Sequence, residues 1–246
     1  MLSNVEKVKA CYKKNTLPML DEPRIVRIKF KKVGKLQYIS HLDLQRTIHR
    51  ILIRAGIPVW YTKGFNPHAK IVFSTPLSVG AQSECELLDI KIDREISCLE
   101  ILELLNNEVT DELRILDVYL PSSKFSDIAW AGYTIEIVRE GLNEELLDKL
   151  HSCIDSDTLN VMKKTKSGEK EVNIIPLIKE FNARLDDGRI VINALLGANA
   201  DTYLNPDLLL EALNSSTGIL DIDEDKISYT IMRNAIYYKD GKTVFK

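Results

Sequence analysis

Residues 61–76, YTKGFNPHAKIVFSTP, combine a predicted tight turn with side chains that a turn does not need. Glycine and Asn-Pro pairs are the residues that build such turns. The additional groups are an aromatic ring, an imidazole and two ammonium groups, from Phe65, His68, Lys63 and Lys70. Aromatic rings that stack on bases, beside cations that hold phosphates, are typical of single-stranded RNA recognition. The turn is therefore predicted to contact RNA, unless Phe65 folds inward into the core.

Three arginines recur every four residues a little earlier in the chain, at Arg46, Arg50 and Arg54. On a helix they fall, with Asp43, within an arc of roughly 80°. A guanidinium group binds phosphate in bidentate fashion, so this face is predicted to hold an RNA backbone. The alternative is a hydrated helix face on which Asp43 pairs with Arg46 or Arg50.

Three of the four histidines, His41, His49 and His68, lie in the same region. His41 follows a predicted helix cap, where it could contact phosphate or act as a general acid or base. The alternative is that Ser40 and Asp43 form an S-x-x-D capping box and His41 has no special role. His41 and His68 are the candidate catalytic residues. The complete set of predicted RNA-binding residues is Lys35, His41, Arg46, His49, Arg50, Arg54, Lys63, Phe65, His68 and Lys70.

Positive charge is concentrated in this part of the chain. The formal net charge of the whole chain is −3, yet residues 24–72 hold eleven Lys or Arg and a single acid, Asp43. This block is therefore +10, and the remaining residues together are −13. Such segregation points to a surface for an anionic partner, although part of the charge could simply solvate strand edges and helix faces.

Other classes of site lack their sequence signals. The cysteines are scattered without a CxxC pair, so neither a zinc site nor an iron–sulfur site is predicted, and no metal or cofactor is expected. The loop PLSVGAQSE at 76–84 has a lone glycine and neither a GxGxxG nor a GK[ST] motif, which argues against nucleotide binding by this loop. No run of about 18 apolar residues would span a bilayer, and the N-terminus has no signal-peptide core. A cytoplasmic location is expected.

The elements that must position these residues alternate between strand and helix. Residues 26–31 alternate apolar and cationic side chains, which predicts a half-buried strand with a cationic outer face. A helix is predicted from the Ser40 cap to Gly56. Further strands are predicted at VWYTK, KIVFS, CELLDIKI and RILDVYL, with a helix at 97–109 before the last of them. Apart from one extra extended piece at 58–62, this is the β-α-β-β-α-β order of a ferredoxin-like domain.

The second half predicts another round of strands and helices. Its strands are AGYTIEIVR, RIVINALL and KISYTIMRNAIYY, its helices are NEELLDKLHSCI and NPDLLLEALN, a hairpin turns at Ser167-Gly168, and IIPLIKEFNARL is interpreted as an insertion. The predicted fold class is therefore α+β, with tandem ferredoxin-like (βαββαβ) domains and antiparallel sheets. The predicted boundaries are an N-terminal extension at 1–23, a basic domain at 24–120, a linker at 121–127 and a second domain at 128–246.

The segments YISHLD, RAGIPV, GFNPH, PLSVG and SECELLDI together resemble the radical-SAM-linked family. Its members are uncharacterised bacterial proteins encoded beside a radical SAM enzyme or fused to its end. This chain lacks the CxxxCxxC motif that holds a radical SAM cluster, so it is not the radical enzyme itself. The resemblance implies an accessory or substrate-presenting role beside a radical SAM partner, and such partners often modify RNA or protein.

The sequence is compatible with three functions. The first is an RNA-binding accessory protein that presents a substrate, expected to be RNA, to a radical SAM partner enzyme. The second is a metal-independent RNA-processing endonuclease of tandem ferredoxin-like architecture, in which a histidine near the first helix serves in acid–base cleavage. The third is a protein-docking module for the radical SAM enzyme, through the basic face or an exposed sheet edge. The charge segregation favours the first.

Overall fold

The computed structural model describes residues 16–165, 168–221 and 226–246. They divide into two compact units. The first comprises the described residues up to Lys124 together with Lys246, and the second is Phe125–Phe245. No helix among the described residues is long and apolar enough to cross a membrane.

The first unit is an antiparallel sheet with two helices on one face. In chain order its elements are β1 (Met19–Lys32), α1 (His41–Arg54), β2 (Ile71–Phe73), β3 (Ala81–Arg94), α2 (Cys98–Asn106) and β4 (Ile115–Tyr119). The strand order is β4-β1-β3-β2, with antiparallel neighbours. Because alternate strand residues share a face, the apolar side chains of β1 and β3 meet those of both helices in one core.

Helix α1 begins and ends where the sequence predicts. Ser40 caps it by accepting a hydrogen bond from the Asp43 amide, and Gly56, with φ of 68°, turns the chain away after the last turn. The helix buries Leu44, Ile48, Ile51 and Leu52. Each such side chain contributes about 1.5–3 kcal/mol on burial, so this stripe fixes which face of α1 remains outside.

The first strand departs from its prediction in two ways. It begins at Met19, inside the segment predicted as an N-terminal extension. Its outer face is also not simply cationic, because Arg27 is completely buried. Asp89 is its cross-strand partner in β3 and accepts two hydrogen bonds from it, at 2.7 and 2.9 Å. Arg27 also donates to Ser123, in the segment predicted as a linker.

The strands of the second unit are also antiparallel to the neighbours they pair with in that unit. Its elements are β5 (Trp130–Arg139), α3 (Glu144–Ile154), β6 (Asn160–Thr165), β7 (Gly168–Asn173), β8 (Ile178–Asp186), β9 (Arg189–Gly197), α4 (Pro206–Thr217) and β10 (Ile227–Tyr237). The strand order is β10-β5-β9-β8, while β6 and β7 pair only with each other in that unit's described residues.

The segment interpreted as an insertion is in fact part of this sheet. Strand β8 lies within it, and Phe181, Ala183 and Leu185 pair with the apolar residues of β9. The added element is the β6–β7 hairpin, whose predicted turn residue Ser167 lies outside the described residues. Without that hairpin, both units have the element order β-α-β-β-α-β and the same strand order. The predicted α+β class with antiparallel sheets is therefore confirmed.

Candidate functional site

Residues 59–70 form a narrow hairpin that is anchored on β3. Trp60 donates to the carbonyl of Lys91, and the Lys91 amide donates to the carbonyl of Lys70. Above this anchor, Tyr61 pairs with Ala69 as an isolated bridge, so the predicted strand VWYTK is much shorter than expected. Residues 63–67 form the tip of the hairpin.

The aromatic ring at this tip lies in solvent. Phe65 is 110% exposed relative to a reference residue, so the alternative that it folds into the core is wrong. Lys63 and His68 are exposed as well. The His68 amide and its Nδ1 both contact Thr62 Oγ1, each at 3.1 Å, which joins the two arms below the tip. His68 therefore helps to hold Phe65 outward.

The N-terminus of α1 is already occupied by a carboxylate. Ser40 Oγ accepts from the Asp43 amide at 3.1 Å and donates to Asp43 Oδ2 at 2.8 Å. Arg46 lies 3.3 Å from the other carboxylate oxygen. This is the capping arrangement, and it argues against a phosphate at this helix end because the carboxylate of Asp43 would repel it.

His41 lies at the side of the helix instead. Its ring contacts Phe73 of β2 edge-on, with centroids 5.2 Å apart. Its Nε2 is 2.9 Å from Nε2 of Gln45. The His41 ring is therefore held between Gln45 and Phe73.

A groove lies between α1 and the strand that leaves the hairpin. Its cavity is about 270 Å³ and is lined by Leu42, Gln45, Arg46, His49, Ala69, Ile71 and Phe73. An adjoining cavity of about 210 Å³ is lined in part by His49 and Tyr61. We call this the α1–hairpin groove. It has an apolar floor, and Gln45, Arg46 and His49 supply its polar groups.

The remaining predicted residues, Arg50, Arg54, Lys70 and Lys35, lie in different surroundings. Arg50 is exposed, and it has neither a hydrogen bond nor an ion pair within the described part of the chain. Arg54, in contrast, donates to Glu108 Oε2 at 2.8 Å and to its carbonyl at 3.0 Å, so it holds α1 against the end of α2. Lys70 lines a small cavity with Val72 and Lys91, outside the groove. Lys35 lies in a 3-10 helix, Gly34–Tyr38, also outside the groove lining.

Metal ligation finds no support in the parts of the chain that the structure describes. No group of three or more His, Cys, Asp or Glu residues is placed there so as to hold an ion. The chemistry available at the groove is stacking, hydrogen bonding and charge attraction.

Sequence reasoning missed a larger cavity in the second unit. It measures about 710 Å³, and its lining includes Asn182, Asn193 and Asn234. The available signal was a single asparagine, Asn193, inside the otherwise apolar strand RIVINALL. A polar residue at such a position needs a hydrogen-bonding partner, which marks it for attention.

A family model matches this chain over most of its length. Residues 25–206 match the model of a family described as an uncharacterized protein conserved in bacteria (DUF2344). The chain belongs to this family. The matched region begins in β1 and ends at the start of α4, so it includes most of both units. The description contains no mention of a radical SAM enzyme, and no curated protein is significantly similar in sequence to this chain.

Solved structures are similar only at a low level. A chain of a Cbf5-Nop10-Gar1 complex is 9% identical with a TM-score of 0.45, over 89% of this chain and 52% of that one. An unknown protein from Galdieria sulphuraria is 7% identical with a TM-score of 0.25, over 86% of this chain and 99% of that one. This chain thus spans about half the length of the Cbf5-Nop10-Gar1 chain it matches. Function must be argued from the residues of this protein.

Proposed function

We propose that this protein binds RNA through α1 and the hairpin, as an accessory subunit that presents the RNA to a radical SAM enzyme. The observation that supports the proposal is that the exposed ring of Phe65 and the cationic face of α1 lie on neighbouring elements. The hairpin that exposes Phe65 runs directly into β2, which lines the α1–hairpin groove, and α1 lines the same groove with Arg46 and His49. A stacking surface and a cationic helix face therefore belong to the same part of the first unit.

The exposure of Phe65 supports a partner that stacks. Burial of a phenylalanine side chain is worth about 1.5–3 kcal/mol, which this ring forgoes in the free protein. Stacking on a base recovers about 1–3 kcal/mol, whatever the base. Arg50 adds an exposed guanidinium one turn after Arg46, in reach of a backbone that follows the helix.

The architecture that suits this role is a pair of ferredoxin-like domains. In the first unit the order β4-β1-β3-β2, and in the second the order β10-β5-β9-β8, both correspond to the arrangement 4-1-3-2 of that fold once the β6–β7 hairpin is set aside. Four-stranded sheets of this kind are used by RNA-binding modules, so the fold is compatible with the proposed activity. Fold alone does not assign it.

The radical SAM partner rests on the sequence resemblance and needs its own test. The radical enzyme encoded nearest to this protein would be co-expressed with it and recovered through a tag on one of the two. Recovery of both proteins, reduced by nuclease, supports presentation of RNA. Recovery that nuclease leaves unchanged supports the docking hypothesis instead, and failure to co-purify removes the partner from the proposal.

RNA cleavage receives less support from the geometry. His41 is held by Gln45 and Phe73, and His68 is held by Thr62. Within the described ranges, these contacts tie the two imidazoles to different partners.

The test of RNA binding is a salt series with charge-reversal variants. The affinity for a labelled single-stranded RNA of mixed sequence is measured for wild type and for Arg46→Glu/Arg50→Glu. If about four phosphates are contacted, log affinity falls with log salt at a slope of roughly −3. The double variant should weaken binding and flatten the slope. Arg54 is left intact because its loss would unpair the buried carboxylate of Glu108.

The matched control is Lys170→Glu/Arg184→Glu in the second unit. It changes the net charge by the same amount, and neither side chain has a hydrogen bond or ion pair among the residues described. Binding that both double variants weaken equally would show a general charge effect. Binding that the α1 variant leaves unchanged would overturn the proposal.

A further inference from the structure

The second unit contains a site whose chemistry differs from that of the α1–hairpin groove. Its cavity of about 710 Å³ is lined by residues of β5, β8, β9 and β10. That size is in the range of small-molecule sites, which typically span about 300–1,000 Å³. The polar groups that line it include three amides, from Asn182, Asn193 and Asn234.

A hydroxyl group fixes two of these amides. Thr134 Oγ1 donates to Asn193 Oδ1 at 3.0 Å and accepts from Asn234 Nδ2 at 2.6 Å. Thr134 and Asn193 are cross-strand neighbours on β5 and β9. Asn234 is at an irregularity in β10, where an additional residue directs its side chain towards Thr134. The single proton of the hydroxyl therefore sets the orientation of both amides.

This orientation presents the donor group of one amide and the acceptor group of the other to a ligand. Since Asn193 uses its oxygen, its amide nitrogen remains to donate. Asn234 uses its nitrogen, so its carbonyl oxygen remains to accept. A donor beside an acceptor is the complement of a nucleobase edge, because every base presents an acceptor next to a donor on its pairing edge. Asn182, directly opposite Asn193 on β8, can extend the contact.

An aromatic ring supplies a flat wall beside the amides. Tyr237 lines the cavity, and its ring lies over Gly132 of β5. A Cβ at position 132 would be 3.3 Å from Tyr237 Cε2, so the absence of a side chain lets the ring approach the strand closely. A planar ligand that bonds to the amides has this ring available for stacking.

The charges around the cavity disfavour phosphate. Glu180 and Asp155 line it, and both are exposed. Lys179 also lines it, but its ammonium group donates to the carbonyl of Asp240 at 2.5 Å and lies over the Trp130 ring. The positive charge of Lys179 is therefore partly neutralised by the Asp240 carbonyl and the Trp130 ring. Two carboxylates facing one committed ammonium would repel an anionic ligand.

We propose that this cavity binds a nucleoside, held by the edge of its base between Asn193 and Asn234 and stacked against Tyr237. The ligand is a neutral nucleoside rather than a nucleotide or a nucleic-acid backbone. Thr134 is a positioning residue, which acts through the two amides. The proposal is independent of RNA binding by the first unit.

Equilibrium dialysis of the full chain against each of adenosine, cytidine, guanosine and uridine tests the proposal. At least one of the four should bind, and its 5′-monophosphate should bind at least about tenfold more weakly because of the two carboxylates. Thr134→Val should weaken nucleoside binding about tenfold, and Thr134→Ser, which keeps the hydroxyl, should restore it. Asn234→Ala is a second variant at an exposed position, for which the same loss is expected.

Three results would overturn the proposal. They are no binding of any nucleoside, equal binding of the nucleoside and its monophosphate, or a Thr134→Val protein that is folded and binds as wild type does. The Arg46→Glu/Arg50→Glu variant is the internal control and should bind nucleoside normally. Conversely, Thr134→Val should leave the RNA salt slope unchanged, so failure of either proposal is recognisable separately.

Discussion

The two units carry different polar pairs at corresponding places on their sheets. In the first, Arg27 of β1 faces its cross-strand partner Asp89 of β3. In the second, Thr134 of β5 faces its cross-strand partner Asn193 of β9. Both pairs lie opposite the apolar core face of their strands. The first is a salt bridge whose arginine is fully buried, and the second is a neutral hydrogen bond at a half-buried position.

This difference determines which face of each unit is free for a ligand. The guanidinium of Arg27 uses its three nitrogens on Asp89 and Ser123, and burial raises the pKa of the neighbouring Tyr119 phenol. That face is a closed structural contact, whereas Arg46 and Arg50 of α1 and Lys63 of the hairpin are exposed. The pair in the second unit leaves amide groups unused beside a large cavity.

The largest expected effect comes from breaking the charged pair. Asp89→Leu leaves the Arg27 charge buried without its carboxylate, and such a change costs about 3–5 kcal/mol of unfolding free energy. Urea denaturation followed by circular dichroism measures it. The double variant Arg27→Leu/Asp89→Leu should recover most of the loss, because no uncompensated charge remains. A loss of less than about 1 kcal/mol in the single variant would show that the pair is not the closed contact described.

The next largest effect concerns the aromatic side chains of the two units, which differ in their exposure to solvent. Phe65 stands in solvent, whereas Tyr237 lies over Gly132. Phe65→Ala should leave the unfolding free energy unchanged and weaken single-stranded RNA binding by about 1–3 kcal/mol, or about 5- to 150-fold. Val79→Ala, at another exposed apolar position, is the control and should change neither quantity. Loss of stability in Phe65→Ala would mean that the ring packs in solution.

A smaller effect is expected from the neutral pair. Thr134→Val removes a hydroxyl that makes two hydrogen bonds, but Asn193 and Asn234 can then turn to water. The expected loss of unfolding free energy is about 1 kcal/mol, well below that of Asp89→Leu. The two variants are compared in the same urea titration. Similar losses of unfolding free energy in the two variants would contradict the distinction between the buried Arg27–Asp89 pair and the half-buried Thr134–Asn193 pair.

Local signals made much of the fold predictable. The Ser40 cap, the apolar stripe and Gly56 defined α1 correctly, because helix ends depend on residues close in sequence. Strand β8 was missed because Pro176 and the run of isoleucines obscured the alternation of Phe181, Ala183 and Leu185 that follows. That alternation acquires its meaning only from the pairing with β9.

The candidate sites were less predictable, for a physical reason. Whether a cation is free depends on partners that are distant in sequence. Arg27 and Arg54 found Asp89 and Glu108, respectively 62 and 54 residues away, whereas Arg50 found no partner in the described portion of the chain. The network of Thr134, Asn193 and Asn234 joins three strands, so no local pattern marks it.

The smallest predicted effect concerns the turn that holds Lys179, whose side chain lines the cavity of the second unit. The Asp240 carboxylate accepts from the Thr243 hydroxyl and from the amides of Lys242 and Thr243, and these bonds lower its pKa from 3.8 to about 2. A lowered pKa means that the folded state favours the ionised form. Its contribution to stability is therefore fully present above about pH 4 and is lost as the pH falls towards 2.

Asp240→Asn tests this directly. Its melting temperature should lie below that of wild type at pH 6, and the difference should shrink as the pH is lowered through the range between the two pKa values. Asp186→Asn, whose carboxylate makes no hydrogen bond or ion pair with any described residue, should show no such dependence.

A loosened turn in Asp240→Asn would also free the ammonium group of Lys179, which lines the cavity. At pH 6, Asp240→Asn should therefore bind a nucleoside monophosphate better relative to the nucleoside than wild type does, and an unchanged ratio would show that the turn does not control the charge of the site.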